Sequence, residues 1–248
     1  MGKKKEKIFD DNDYKYFAKV FDFFTLDKIR TLQVKGFIKK VKGVISEGKE
    51  SVVLLCQGPE NDARILKIHK IETSDFKKME KYIVGDPRFV NVRKKRRDLV
   101  YLWCRKEFSN LKRCFEAKIS VPQPYTFLDN LLVMECVINK KGEVAKRIAD
   151  EELENPEKFL EEILKNIEKM YKLANIVHAD ISEFNILNKD NSPVIIDLAQ
   201  GVFKTHPLAK EFLKRDLENL KRFFTKRYGI SLDVEEILIN ILGDQHEL

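Results

Sequence analysis

Three short segments, Phe37 to Val44, Ser51 to Gln57 and Arg64 to His69, carry apolar residues at strand period and are parted by Ser46-Glu47-Gly48-Lys49-Glu50 and Gly58-Pro59-Glu60-Asn61-Asp62. Successive side chains of a strand face opposite ways and glycine and proline punctuate, so the pattern predicts three antiparallel strands in chain order. A hairpin is expected at Tyr125 to Leu128 and Leu131 to Val137, around Asp129-Asn130. Beyond it the period turns helical: Asn155 can cap, Pro156 falls at the first helical position, and Phe159, Ile163, Ile167 and Met170 form a stripe. The expectation is an α+β chain of two lobes, a small antiparallel β lobe and a mainly α lobe.

Further helices are expected at Tyr14 to Leu32, with Phe17, Phe21, Phe24 and Ile29 toward a core, and at Leu99 to Ala117, with Val100, Trp103, Cys104, Leu111 and Phe115 at helical spacing. Two more should close the chain, Pro207 to Tyr228 and Leu232 to Leu242. Glu72 to Asp98 is polar, ends in Arg93-Lys94-Lys95-Arg96-Arg97, and is expected to be a mobile loop. The boundaries that follow are a helical extension over 1–36, the β lobe over 37–135 with loop 72–98 inside it, and the α lobe over 136–248.

With 248 residues, 43% apolar and seventeen Phe, the chain can bury a core without covalent staples. Its four cysteines form no C-x-x-C pair and no cluster with histidine, which argues against zinc and disulfides and for a reducing, cytoplasmic compartment. No apolar run approaches the roughly 18 residues that span a bilayer, and the lysine-rich start meets Asp10, Asp11 and Asp13, so no membrane association is expected. A net charge of +7 permits a polyanionic partner without demanding one.

His178-Ala179-Asp180-Ile181-Ser182-Glu183-Phe184-Asn185 has the spacing of the protein-kinase catalytic loop H-R-D-x-x-x-x-N, with Ala in place of Arg, and Asp197 follows twelve residues after Asn185. The chemistry explains the spacing: an Asp reaches the acceptor hydroxyl, an Asn five residues on folds back toward a metal, and an Asp from the next hairpin holds metal against a triphosphate. Alone, His178 or Asp180 could be a turn residue. Lys67, in Ile65-Leu66-Lys67-Ile68, is costly among apolar neighbours unless paired, and Glu107 on the next helix is its natural partner. An edge-strand lysine and a solvated glutamate are the plain alternative, which the order of all these features along the chain makes the weaker one.

Ser46-Glu47-Gly48-Lys49-Glu50-Ser51, the 178–185 loop and Ile196-Asp197-Leu198-Ala199-Gln200 together resemble the signatures of the RIO family of atypical kinases. The likeness runs from about Phe37 to Phe224, and Lys81-Tyr82-Ile83-Val84-Gly85-Asp86-Pro87-Arg88-Phe89 favours the type-1 branch. The resemblance implies a shortened, two-lobed protein-kinase fold that takes ATP with magnesium, or manganese in its place. It implies that Ser46, Gly48, Lys49 and Ser51 cover the phosphates, that Lys67 holds the α and β phosphates, and that Glu107 holds Lys67. It further implies an adenine-binding waist at Met134, Glu135 and Val137, for which a core hairpin is an equal reading of the residues alone. Asp180 would be the catalytic base, and Asn185 and Asp197 the magnesium ligands, with Ser182 and Glu183 buttressing the loop.

Asp197-Leu198-Ala199 stands where ordinary kinases have D-F-G, and no A-P-E stretch follows, so the peptide-docking platform is absent from the sequence. The family resemblance implies serine/threonine phosphorylation or ATP hydrolysis on a precursor of the small ribosomal subunit, with its RNA and protein as partners and no DNA. Two rival readings are a catalytically silent ATP-binding module on RNA or the ribosome, and a small-molecule kinase of the aminoglycoside or choline type. The basic run 93–97 is either a solvated surface or a contact for ribosomal RNA phosphates.

Overall fold

The computed structural model describes residue 8 and residues 21–71, 76–86, 88 and 95–243. They divide into two compact units, one formed by the described residues of Met1–Phe76, Arg93–Phe108 and Gln123–Cys136, the other by those of Lys77–Val92, Ser109–Pro122 and Val137–Leu248. Each unit is built from three separate stretches of chain.

The first unit holds one antiparallel sheet of β1 (Lys40–Glu47), β2 (Ser51–Gln57), β3 (Ala63–His69), β4 (Pro124–Leu128) and β5 (Leu131–Glu135), in the order β1-β2-β3-β5-β4. In β2 burial alternates, with Val52, Leu54 and Cys56 inward, as a strand with one covered face requires. The central strand β3 is buried at six of its seven residues, including Arg64, Lys67 and His69. β1 begins and ends three residues later than the expected Phe37 to Val44, and it is irregular: Lys42 and Ile45 have no counterpart on β2, so the strand bulges twice.

Helix α1 (Phe23–Val34) is capped by Asp22, whose Oδ1 accepts the Thr25 amide at 2.6 Å. That start sets the helical frame, so Leu26, Ile29 and Leu32 form the buried stripe and meet Ile38, Val52 and Leu66. Phe21 packs against this core, whereas Phe24, expected inside, is 63% exposed. Phe17 and the rest of the expected helix before residue 21 lie outside the described residues.

The stretch 72–98 is not an open loop throughout. It contains α2 (Phe76–Ile83), which buries Met79, Tyr82 and Ile83 at helical spacing; residues 72–75, 87 and 89–94 lie outside the described set. Helix α3 (Arg96–Glu116) begins within the basic run, and its residues are shared, Arg96–Phe108 with the first unit and Ser109–Glu116 with the second. Its last buried position is Cys114, while Phe115, expected on the apolar side, is 40% exposed.

In the second unit α4 (Pro156–Lys169) starts as expected, Asn155 accepting the Lys158 amide at 3.0 Å, and buries Phe159, Ile163 and Ile167. One π turn (Met170–Ala174) ends at Asn175, φ +57°, and leads into β7 (Ile176–Val177), which pairs with β10 (Val202–Phe203). A three-stranded sheet joins β6 (Lys146–Arg147), which precedes α4, to β8 (Ile186–Lys189) and β9 (Ser192–Ile195), which lie between β7 and β10 in sequence. Helix α5 (Ala209–Tyr228) buries Leu213, Leu217, Leu220 and Phe224 and stops at Gly229, φ +71°; α6 (Val234–Leu242) follows, capped by Asp233. Among the described residues no helix is long and apolar enough to cross a membrane, and all four cysteines are free and buried.

Candidate functional site

The first unit carries a buried ion pair. Lys67, opposite Val53 and Leu132 in the middle of the sheet, donates from Nζ to Glu107 Oε1 at 2.7 Å. Glu107, fully buried on α3, turns its Oε2 to His69 Nε2 at 3.0 Å. Desolvating both charges is made tolerable by their attraction, and losing either would leave the other's desolvation less well offset. Burial, reinforced by the charge of Glu107, pushes the Cys104 thiol well above its ordinary value.

Ser46 ends the irregular part of β1, Gly48 and Lys49 form the exposed turn that follows, and Ser51 opens β2. The turn is tied down: Gly48 N–H donates to Ser51 O at 2.9 Å, Lys70 N–H to Glu50 O at 2.8 Å, and Lys70 Nζ to Glu47 at 2.8 Å. A Cβ on Gly48 would lie 3.7 Å from its nearest neighbour, the Ser51 carbonyl oxygen, so no crowding among the described residues calls for glycine there. On β5, Met134 is buried opposite Ile65, and Glu135 pairs with Arg64 and donates its amide to Gln123 O at 2.8 Å. Val137 belongs to the second unit, where its carbonyl accepts the Ala145 amide at 2.9 Å.

The second unit folds His178 to Asn185 into a tight loop. Asn185 Nδ2 donates to the Asp180 carbonyl at 2.8 Å and to Asp180 Oδ2 at 3.1 Å, so the two side chains expected to act together are linked directly. Ile196 is clasped from both sides: its amide donates to Asn185 O at 3.0 Å and its carbonyl faces His178 Nε2 at 3.0 Å. Asp197 follows at once with φ +62°, a left-handed conformation that costs a non-glycine residue about 1–2 kcal/mol. Ser182 and Glu183 serve the loop through their carbonyls, which accept the Asn185 and Ala149 amides.

Ala179 is also left-handed, φ +65°, and fully buried. The residue that holds it is Asp216, which sequence reasoning passed over. From α5 its carboxylate accepts the Ala179 amide at 2.8 Å and the Ile181 amide at 3.0 Å, while Arg215 donates to the Ala179 carbonyl and Asn219 to the Ile181 carbonyl at 3.0 Å. Burial pushes the Asp216 carboxyl up to about 8, against the opposing pull of the two amides and Arg215. A carboxylate between Leu213 and Leu217 on an apolar stripe was the available signal.

The described residues contain no group of three His, Cys, Asp or Glu able to hold a metal alone. Asn185 and Asp197 instead offer oxygen donors of the kind magnesium uses when phosphate oxygens and water complete its shell.

A family model described as the RIO domain matches residues 52–237. The chain is 35% identical to the RIO-type serine/threonine-protein kinase Rio1 of Haloferax volcanii, over all of this chain and 87% of that one. It is 37% identical to Rio1 of Methanocaldococcus jannaschii, covering 94% and 79%, and 32% identical to the human serine/threonine-protein kinase RIO1, covering 93% and 41%. Among solved structures it superposes on the Rio2 kinase from Chaetomium thermophilum, in a complex with ADP/Mg2+-phosphoaspartate, with a TM-score of 0.69 at 21% identity over 94% of this chain and 76% of that one. The architecture is therefore the two-lobed, protein-kinase-like α+β fold. The chain belongs to the RIO family of atypical serine/threonine-protein kinases, in its type-1 branch.

Proposed function

We propose that the chain binds ATP with magnesium and moves the γ-phosphate to a serine or threonine hydroxyl or to water. The observation that carries this is the linked set in the second unit, Asn185 bonded to Asp180, and Ile196, the residue before Asp197, clasped between Asn185 and His178. Phosphoryl transfer asks a protein mainly to position groups and neutralise charge, and residues of those types do so.

Lys67 would donate to the α and β phosphates, with Glu107 fixing its ammonium. The turn with Ser46, Gly48, Lys49 and Ser51 would cover the phosphates, where the glycine lets backbone amides approach an anion. Met134, Glu135 and Val137 would receive adenine. Asn185 and Asp197 would hold magnesium, which neutralises charge on the phosphate oxygens. Asp180 would accept the proton of the attacking hydroxyl as its oxygen bonds to the γ-phosphorus and the bond to the bridging oxygen breaks, releasing ADP. Asp216 keeps the Asp180 loop in place and touches no reacting atom.

The short run from Asp197 to α5, containing only β10, leaves little chain to align an extended peptide. That favours an acceptor on a folded partner, or water, and we place the activity in the cytoplasm on a precursor of the small ribosomal subunit. Lys95, Arg96 and Arg97 are exposed, as a contact with RNA phosphates needs; Arg93 and Lys94 lie outside the described residues.

The experiment follows γ-labelled phosphate from ATP with wild type, Asp180→Ala and Asp197→Asn, with and without precursor small subunits. Free phosphate stimulated by the particles means an ATPase; label on particle Ser or Thr means a protein kinase. Absence of turnover in wild type under every condition overturns the proposal in favour of a silent ATP-binding module.

A further inference from the structure

Asn110, fully buried on α3, points its amide at the segment just after Asp197. Its Nδ2 donates to the carbonyls of Leu198 and Gly201, each at 2.8 Å. A primary amide has two N–H donors and one acceptor oxygen, so both donors are used and the oxygen faces the other way. There Arg88 Nη1 donates to Asn110 Oδ1 at 2.8 Å, which fixes the orientation of the amide, since a guanidinium can only donate.

Arg88 is held in turn. Its Nη2 lies 2.6 Å from Oδ2 of buried Asp86, its Nε 2.9 Å from Oδ1, and its own amide donates to the same Oδ1 at 3.0 Å. The guanidinium also lies 4.0 Å from the Phe203 ring centre, on β10 beyond the turn. The Gly201 amide closes that turn on the Leu198 carbonyl at 3.1 Å. Asp197 is thus fixed on its N-terminal side by the clasp on Ile196 and on its C-terminal side by Asn110.

We propose that Asp86, Arg88 and Asn110 form a relay that positions Asp197 for its metal, making Arg88 and Asn110 positioning residues for phosphoryl transfer. This rests on the assignment of Asp197 as a magnesium ligand. It gives the Gly85-Asp86-Pro87-Arg88 stretch a task in the chemistry, because a carboxylate in a left-handed conformation next to a free turn would lose its aim. Outer-shell partners of metal ligands typically govern metal affinity about 10- to 100-fold.

Two variants perturb the relay differently. Arg88→Gln removes the grip on Asp86 and the charge behind Asn110. Gly201→Ala changes no charge, but its Cβ would lie 2.9 Å from Asn110 Nδ2 and 3.1 Å from Leu198 O, so the bond must give. Calorimetric titration with ATP, in the presence of Mg2+ and in excess chelator, gives the gain in affinity that the metal confers. Wild type should show such a gain; in both variants it should fall about tenfold, with metal-free ATP affinity unchanged within about twofold. If Arg88→Gln does not fold, Gly201→Ala carries the test.

A gain retained within twofold in the folded variants, or an equal loss of metal-free affinity, overturns the relay. A wild type that binds ATP equally with and without Mg2+ overturns the assignment of Asp197 beneath it, and the relay with it.

Discussion

The carboxyl group of Asp216 accepts the amide of Ala179 at 2.8 Å across 37 residues of sequence. Through that bond a helix of the second unit holds the one residue of the Asp180 loop that replaces the usual arginine. Ala179 has φ +65° and no exposed surface, so side-chain size and backbone conformation are both restricted. Restoring the kinase pattern with Ala179→Arg should therefore destabilise the fold by about 1–3 kcal/mol, measured by urea denaturation. An unchanged midpoint would show that the loop can open to admit the longer side chain.

Asp216 also predicts a pH dependence. Its carboxyl is pushed from 3.8 up to about 8 in the folded protein, so between those values the folded state keeps a proton that the unfolded chain has released. The associated stability is complete below pH 3.8 and is lost as pH rises to about 8. Urea unfolding across this range should show wild type losing stability with pH relative to Asp216→Asn, which has no proton to lose. Parallel curves for the two proteins would contradict the shift.

Glu107→Gln removes the carboxylate bonded to the buried ammonium of Lys67 and should cost about 3–5 kcal/mol in unfolding free energy. Lys67→Met combined with Glu107→Leu should recover much of that loss, because apolar side chains can replace a buried ion pair, while ATP binding weakens with the loss of the Lys67 ammonium. If the double variant is no more stable than Glu107→Gln, the pair supports the sheet through something other than mutual neutralisation.

The cysteines supply a chemical test of packing. Burial pushes the thiols of Cys56 and Cys114 up to about 12 and that of Cys136 to about 11. Little thiolate exists at neutral pH, so all four cysteines should resist a disulfide reagent in the native protein and react together once it is denatured. Rapid labelling of a single cysteine under native conditions would identify a local opening.

The three successive antiparallel strands, the hairpin, the α4 cap and the Lys67–Glu107 pair were legible because each depends on residues at short or patterned spacing, whereas the pairing of β3 with β5 and the Asp180–Asn185 hydrogen bonds emerged only in the structure. Phe24 was misplaced for a physical reason: Phe17, Phe21 and Phe24 mimic a stripe, but the cap at Asp22 resets the frame to Leu26, Ile29 and Leu32. Helix α2 was hidden by the lysines interspersed with Met79, Tyr82 and Ile83. Asp216 and Asn110 escaped notice because the backbone groups they hold lie 35 to 91 residues away, and a backbone amide or carbonyl leaves no mark on the sequence.

The two bulges of β1 also bear on how the protein behaves in a crowded solution. Among the described residues the strand lies at the edge of its sheet, and an even edge is a template on which a second molecule can add a strand. Lys42 and Ile45 break the repeat of the ladder at two points, and the carbonyl of Ile8 takes the Val41 amide at 2.9 Å. A ribbon kinked in this way offers an incoming chain no run long enough to zip along, so the turn carrying Gly48 and Lys49 can stand exposed without inviting polymerisation.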